Sequence, residues 1–377
     1  MTRIYLDHAA TTPMAEEVIK TFTAEINEEF GNASSIHQTG RNARKKLDQS
    51  RIIFAESIGA HETEITITSG GTEADNYAIF GTANARKNEG KHIITSQIEH
   101  HAVLHACEQL EREGFDVTYL PVNKEGIIDI NDLKNSLRDD TILVSVMYAN
   151  NEVGAIQPIQ AIGELLKDHP AYFHTDAVQA YGSIEIDVNV LHVDLLSVSS
   201  HKINGPKGIG FLYGRKGLKL KPLFYGGQQE RKRRAGTENI PAVVAFAKAV
   251  ELKQANIQES STDYVQLKQA FSHQLESNGV PFTVNGPKEN VLPHVLNISI
   301  PKTDVETFLV QLDLAGIDAS SGSACTAGSI DPSHVLVAMY GENTPELRNS
   351  VRFSFGINNT EQQVIEAANK ISKIILG

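Results

Sequence analysis

The stretch Asp194 to Gly210, DLLSVSSHKINGPKGIG, decides how this chain is read. Leu195, Leu196 and Val198 form an apolar run of strand character. It gives way to Ser199, Ser200, His201 and Lys202, and then to a turn rich in Gly and Pro that no helix crosses. A strand end therefore presents a lysine beside hydroxyls and an imidazole. Taken alone, Lys202 can be an ordinary solvated loop lysine. At the mouth of a sheet, partial desolvation lowers a lysine's pKa and makes its amine a nucleophile able to form a Schiff base.

Upstream, YFHTDAVQ runs from Tyr172 to Gln179: a second strand, Ala171 to Thr175, ends in Asp176, with Gln179 shortly after. In an open α/β sheet the C-terminal strand ends face the ligand crevice, so these two strands deliver Asp176 and Lys202 to one place. One lysine and one acid facing a common ligand suit pyridoxal 5'-phosphate. The lysine carries the aldehyde, and the acid keeps the pyridinium nitrogen protonated so that the ring accepts electrons.

Other stretches add to this site. The compact strand Glu64 to Thr68 leads through Ser69-Gly70-Gly71-Thr72-Glu73 into a helical pattern. A glycine turn feeding a helix N-terminus exposes unpaired amides at a positive dipole end, which makes Gly70, Gly71 and Thr72 candidates for a phosphate cradle. A plain capped turn looks the same, and the spacing is not that of a P-loop or dinucleotide fingerprint. His100 sits where the strand His92 to Ser96 hands over to a helix from Ala102 to Arg112, placed to stack on a cofactor ring and move protons with an ordinary pKa near 6.5. His101 and His105 lack a carboxylate or thiol partner at ligand spacing, so no metal is expected. Cys107 shares a helical stripe with Val103, Leu104 and Leu110 and reads as core.

Two later stretches bear on substrate. Ser320 to Ser329, SSGSACTAGS, is a run of small residues whose thiol, Cys325, can swing on a flexible tether; an incidental cysteine in a linker is the alternative. Arg352 alternates with Val351 and Phe353 on a strand, so it faces away from them, and its guanidinium matches either a substrate carboxylate or a structural acid.

A chain of 377 residues is longer than one core usually spans. Regular alternation of strand and helix predicts an α/β protein with a mainly parallel sheet covered on both faces, residues 15–257. Residues 1–14 with 258–377 are expected to make a smaller α+β domain. A net charge of −12 argues against broad nucleic-acid binding. The two cysteines suit free thiols in a reducing, cytoplasmic setting. The N-terminus has no apolar signal core, and no stretch has the ~18 apolar residues of a membrane span.

Six motifs in order resemble the cysteine desulfurases of the NifS/IscS type, within the class V aminotransferase family of fold-type I pyridoxal phosphate enzymes. They are Tyr5 to Pro13 (YLDHAATTP), Ser69 to Asn76 (SGGTEADN), His174 to Gln179, Ser199 to Gly210, Arg233 to Asn239 (RRAGTEN) and Ser320 to Cys325 (SSGSAC). The resemblance runs from the first residues to about Gly356. It implies that Lys202, Asp176, Gln179, Gly71, Thr72, Ser199, His201 and Asn151 hold the cofactor. Asn151 and Gln179 would meet its phenolic oxygen, and Thr237 the phosphate of a neighbouring subunit's cofactor, hence a homodimer. It also implies L-cysteine as substrate, its carboxylate on Arg352 and Asn151, and His100, Lys202 and Cys325 as the catalytic groups. The sulfur would pass as a persulfide to an acceptor protein, an iron–sulfur scaffold or a tRNA-thiolating enzyme. A selenocysteine lyase or another class V aminotransferase would share Lys202 and Asp176, and a non-catalytic sulfur carrier would need no cofactor. Lys232 and Arg233 depart mildly from the family, in which neutral residues are common there.

Overall fold

The computed structural model describes residues 3–322 and 332–377; Cys325 lies outside them. Its strands, in chain order, are β1 (Ile4–Tyr5), β2 (Ile65–Thr68), β3 (His92–Ser96), β4 (Asp116–Leu120), β5 (Thr141–Ser145), β6 (Tyr172–Asp176), β7 (Leu195–Ser199), β8 (Gly210–Gly214), β9 (Thr283–Asn285), β10 (Val295–Ser299), β11 (Ile317–Asp318) and β12 (Ser350–Ser354). β3, β5 and β7 are buried at every residue, the burial expected of parallel strands covered on both faces.

Seven strands make the main sheet in the order β2-β8-β7-β6-β5-β3-β4. Pairings from β4 to β7 are parallel, and β8 runs antiparallel to both its neighbours, turned back by the GPKG segment after Lys202. The chain passes from β3 to β4 on one side, then crosses to β5 on the other. That reversal opens a crevice at the C-terminal strand ends. Helices cover the sheet, and one packing centre stacks Phe54 from the helix Gln38–Glu56, Phe211 from β8 and Phe246 from the helix Ile240–Ala255.

A second core gathers Phe271, Phe308, Phe353 and Ile371, and the N-terminal residues Ile4 and Leu6 belong to it. Here β12-β10-β9 form an antiparallel sheet, and β1 pairs with β11. The helix Glu361–Leu376 closes this core with Val364, Ala367, Ala368 and Ile371, packed on the helix Ile257–Ser277. Sequence reading did not name that last helix, although its capping box, Thr360 with Gln363, is a start signal. His37 caps the helix that begins at Gln38 by accepting the Gly40 N–H.

Candidate active site

A cleft of about 290 Å³ opens at the C-terminal ends of the parallel strands. β6 and β7 bring Asp176, Gln179, Ser199, His201 and Lys202 to it, and the segments after β3 and β5 bring His100 and Asn151. Gly71 and Thr72 come from the start of the helix Gly71–Arg86, and Arg352 from β12.

Lys202 ends a short turn after β7, and its Nζ donates to the carbonyl oxygens of Ala9 (2.5 Å) and Ala10 (2.8 Å). The segment Ala9 to Pro13 is laced across the lysine. Thr12 Oγ1 donates to the His201 carbonyl, Gln179 Nε2 to the Ala9 carbonyl, and Asn204 Nδ2 to that of Pro13. Asp176, 5% exposed, accepts the Val178 N–H at 2.9 Å. Burial pushes its carboxyl up, while that N–H and the Lys202 charge favour the ionised form.

His100 caps the helix His101–Arg112, its Nδ1 accepting the Ala102 N–H at 3.1 Å. Burial first, and the Lys202 charge second, push the ring down to about 4. It is therefore neutral at pH 7, with its proton on Nε2. This corrects the expectation of an ordinary titration near 6.5. His201, whose Nδ1 lies 3.0 Å from Thr11 Oγ1, is likewise lowered to about 4 by burial and by Lys202.

The start of the helix Gly71–Arg86 has no side-chain cap. Gly70 precedes it at φ +146°, a conformation side chains rarely adopt, and a Cβ on Gly71 would meet Val178 Cγ2 at 2.8 Å. Backbone amides at an uncapped positive helix end, kept clear by glycine, form an anion cradle. At the far wall, Arg352 is 3% exposed and turned away from the buried Val351 and Phe353. Its Nη2 donates to Asp7 Oδ1 at 2.8 Å and its Nη1 to the Asn151 carbonyl at 3.0 Å; Ser320 Oγ donates to Asp7 Oδ2. The structural ion pair and the cleft-lining position thus coexist, and Nε has no partner among the described residues.

Thr237 is not brought to this cleft. It is exposed and lines a separate shallow groove with Tyr225 and Arg234. Cys107 is fully buried, which pushes its thiol up and makes it inert. Among the described residues no group of His, Cys, Asp and Glu has metal-holding geometry, and no helix is long and apolar enough to cross a membrane. Sequence reading passed over Asp7, Ala9, Ala10 and Thr11, although their motif was in view. It also passed over three buried acids, Asp75, Glu99 and Glu152. Glu99 accepts the Met147 N–H at 2.9 Å and is pushed by burial up to about 8; Glu152 accepts the Ser333 hydroxyl and is also raised by burial.

A lysine amine, a buried acid across from it and a glycine-cleared anion cradle at one crevice fit pyridoxal phosphate, which has an aldehyde, a basic ring nitrogen and a phosphate to place. Residues 4–366 match the family described as aminotransferase class-V. The chain is 58% identical over 375 residues to the putative cysteine desulfurase IscS 1 of Bacillus subtilis, covering 100% of this chain and 99% of that protein. It is 48% identical to the cysteine desulfurase IscS of Methanosarcina thermophila, over 99% and 92% of the two chains. A solved structure of a NifS-like protein superposes with a TM-score of 0.93 at 34% identity, all of both chains covered. SspA in complex with cysteine gives 0.83 at 36% identity, over 94% of this chain and 99% of that one. With strand ends, crevice and full-length relatives in agreement, the chain belongs to the class V aminotransferase family.

Proposed function

We propose that the protein is a pyridoxal phosphate-dependent cysteine desulfurase: it converts L-cysteine to L-alanine and transfers the sulfur, as a persulfide on Cys325, to an acceptor protein. The observation that carries this reading is the meeting of Lys202 and Asp176 at one crevice, in a chain that matches proteins named cysteine desulfurase along its whole length.

When bound, pyridoxal phosphate supplies an aldehyde for the Lys202 amine and a ring that draws electrons from the substrate's α-carbon. Asp176 would face the ring nitrogen, and its buried charge would hold a proton there. The neutral His100 ring offers a flat face with one N–H, able to pass a proton but not to compete with Lys202 for charge. Gly71, Thr72, Ser199 and His201 would take the phosphate, Asn151 and Gln179 the phenolic oxygen. Gln179 already spends one amide hydrogen on the Ala9 carbonyl, which orients its head group. Arg352, with Asn151 beside it, would hold the substrate carboxylate. Lys202 would move the substrate's α-proton. In the sulfur step the Cys325 thiolate bonds to the substrate sulfur as the substrate's C–S bond breaks. The thiol ends as a persulfide, and the carbon, once protonated, leaves as alanine.

A homodimer belongs to this reading. Glu230, Arg231 and Lys232 lie at φ 47°, 56° and 66°, each costing about 1–3 kcal/mol when held there. Glu230 anchors them through a buried bidentate pair with Arg51, at 2.6 and 2.8 Å, and accepts the Ile67 N–H. The anchored loop presents Thr237 outward, where it can serve a second copy's cofactor. Iron–sulfur assembly or tRNA thiolation in the cytoplasm is the proposed destination of the sulfur.

The deciding assay incubates the protein with L-cysteine and a reductant and follows alanine and sulfide. Both should form in equal amounts with native protein, and neither with Cys325→Ala. Normal yields from that variant would remove the persulfide step, and protein that stays colourless with added pyridoxal phosphate would remove the enzyme reading.

A further inference from the structure

Asp75 is a buried acid at the cleft that the reaction as described leaves unused. It lies on the first turns of the helix Gly71–Arg86, is 1% exposed and lines the same cleft as Asp176. His174, two residues before Asp176 on β6, brings Nε2 to 3.7 Å of Asp75 Oδ1. That ring supplies no charge. Its Nδ1 is paired with Ser145 Oγ (2.8 Å) and its Nε2 with Ser197 Oγ (3.0 Å), and burial pushes it down to about 3. Asp75 Oδ1 has no hydrogen-bond partner among the described residues. The Ser197 hydroxyl favours the charged form of Asp75, whereas the titratable neighbours that act on it, Asp176 first and Glu99 after it, are acids and oppose it.

The two carboxyls are therefore unequal. Asp176 has the Val178 N–H and the Lys202 charge to stabilise an anion. Asp75 has neither. A buried carboxylate without a cation is costly even with one hydroxyl beside it, and two buried acids at one site do not both ionise.

We propose that Asp75 and Asp176 hold one proton and one negative charge between them, with the proton on Asp75. Asp75 is then a positioning residue that confines the single charge to Asp176, against the cofactor's ring nitrogen. The last clause rests on the pyridoxal phosphate reading; the shared proton does not.

The test reads the infrared carbonyl stretch of protonated carboxyls at neutral pH, as the difference between native protein and Asp75→Asn, with and without pyridoxal phosphate. The native protein should show a band that the substitution removes. The visible absorption of the loaded variant should match native, because asparagine is also uncharged. A spectrum in which no band is lost, or a loaded variant whose visible band shifts, overturns the proposal. Should Asp75→Asn fail to fold, isotopically labelled aspartate in Asp176→Asn protein gives the answer: a labelled protonated band that remains supports the assignment, and its absence overturns it. Protein that takes up no cofactor overturns the cofactor reading and the clause that depends on it, while the infrared result stands.

Discussion

At the scale of single residues, Arg352 carries two duties that a lysine cannot share. Its planar fork spends Nη2 on Asp7 and Nη1 on the Asn151 carbonyl, which fixes the plane in which any carboxylate must approach. Arg352→Lys keeps the charge and loses the fork. We expect KM for L-cysteine to rise roughly tenfold, about 1.4 kcal/mol, with kcat nearly unchanged, because the lost contact binds substrate and transition state alike. Steady-state kinetics decide it; an unchanged KM would leave Arg352 as Asp7's structural partner alone. Lys202→Ala should abolish alanine release and the yellow of loaded protein, and retention of either would move the reacting amine elsewhere. The sequence pointed to Lys202, Asp176 and Arg352, which the structure brings to one cleft, because strand ends and strand alternation are local signals. It concealed the neutrality of His100 and the role of the Ala9 and Ala10 carbonyls. Those depend on what a distant segment buries or reaches, and an alanine's side chain gives no hint that its carbonyl accepts from a lysine.

At the scale of elements, the glycine pair before the helix Gly71–Arg86 couples two parts of the site. A Cβ on Gly71 would press on Val178, the residue whose N–H binds Asp176. Gly71→Ala should therefore disturb the anion cradle and the acid together. The expected result is a roughly tenfold weaker hold on pyridoxal phosphate, measured by absorbance titration of stripped protein; an unchanged dissociation constant would show that Val178 yields freely. Gly-Gly at a helix start was readable as a turn, but its closeness to Val178 was not, since that contact joins the segments after β2 and β6, which lie far apart in the chain. The reverse holds for the helix Glu361–Leu376, whose start was written locally in Thr360 and Gln363. Thr360→Ala removes the cap that accepts the Gln363 N–H and should cost about 1 kcal/mol, read as a lower urea midpoint at unchanged slope. No change in midpoint would mean that packing on the helix Ile257–Ser277 sets that terminus.

At the scale of the whole molecule, the N-terminal segment ties both cores to the site: Ile4 and Leu6 sit in one, Ala9 in the other, and Asp7 between them grips Arg352. Three buried imidazoles bear on how stability depends on pH. His8 is pushed by burial down to about 4, and His294 to about 3 with Lys253 and Lys268 adding repulsion; His174 beneath the cleft is also near 3. Their folded pKa values lie below the unfolded value of about 6.5, so the folded state binds fewer protons than the unfolded one once pH falls below that value. The stability they contribute is fully present above about 6.5 and is lost as pH falls towards 3 to 4, each ring weighing up to about 1.4 kcal/mol per pH unit. Glu99, raised to about 8, has the opposite sign: its neutral form favours folding at low pH, and that contribution fades as pH rises from about 4.5 through 8. His100 and His201 add to the rings, while Asp75, Asp176 and Glu152 join Glu99 in opposing them, so stability should fall on acidification by less than the rings alone would give. Urea midpoints at stepped pH on cofactor-stripped protein measure this without interference from ligand. His294→Gln, which keeps a polar group of similar size but cannot take the proton, should flatten the acid limb, and an equally steep limb in that variant would assign the acid sensitivity to other groups.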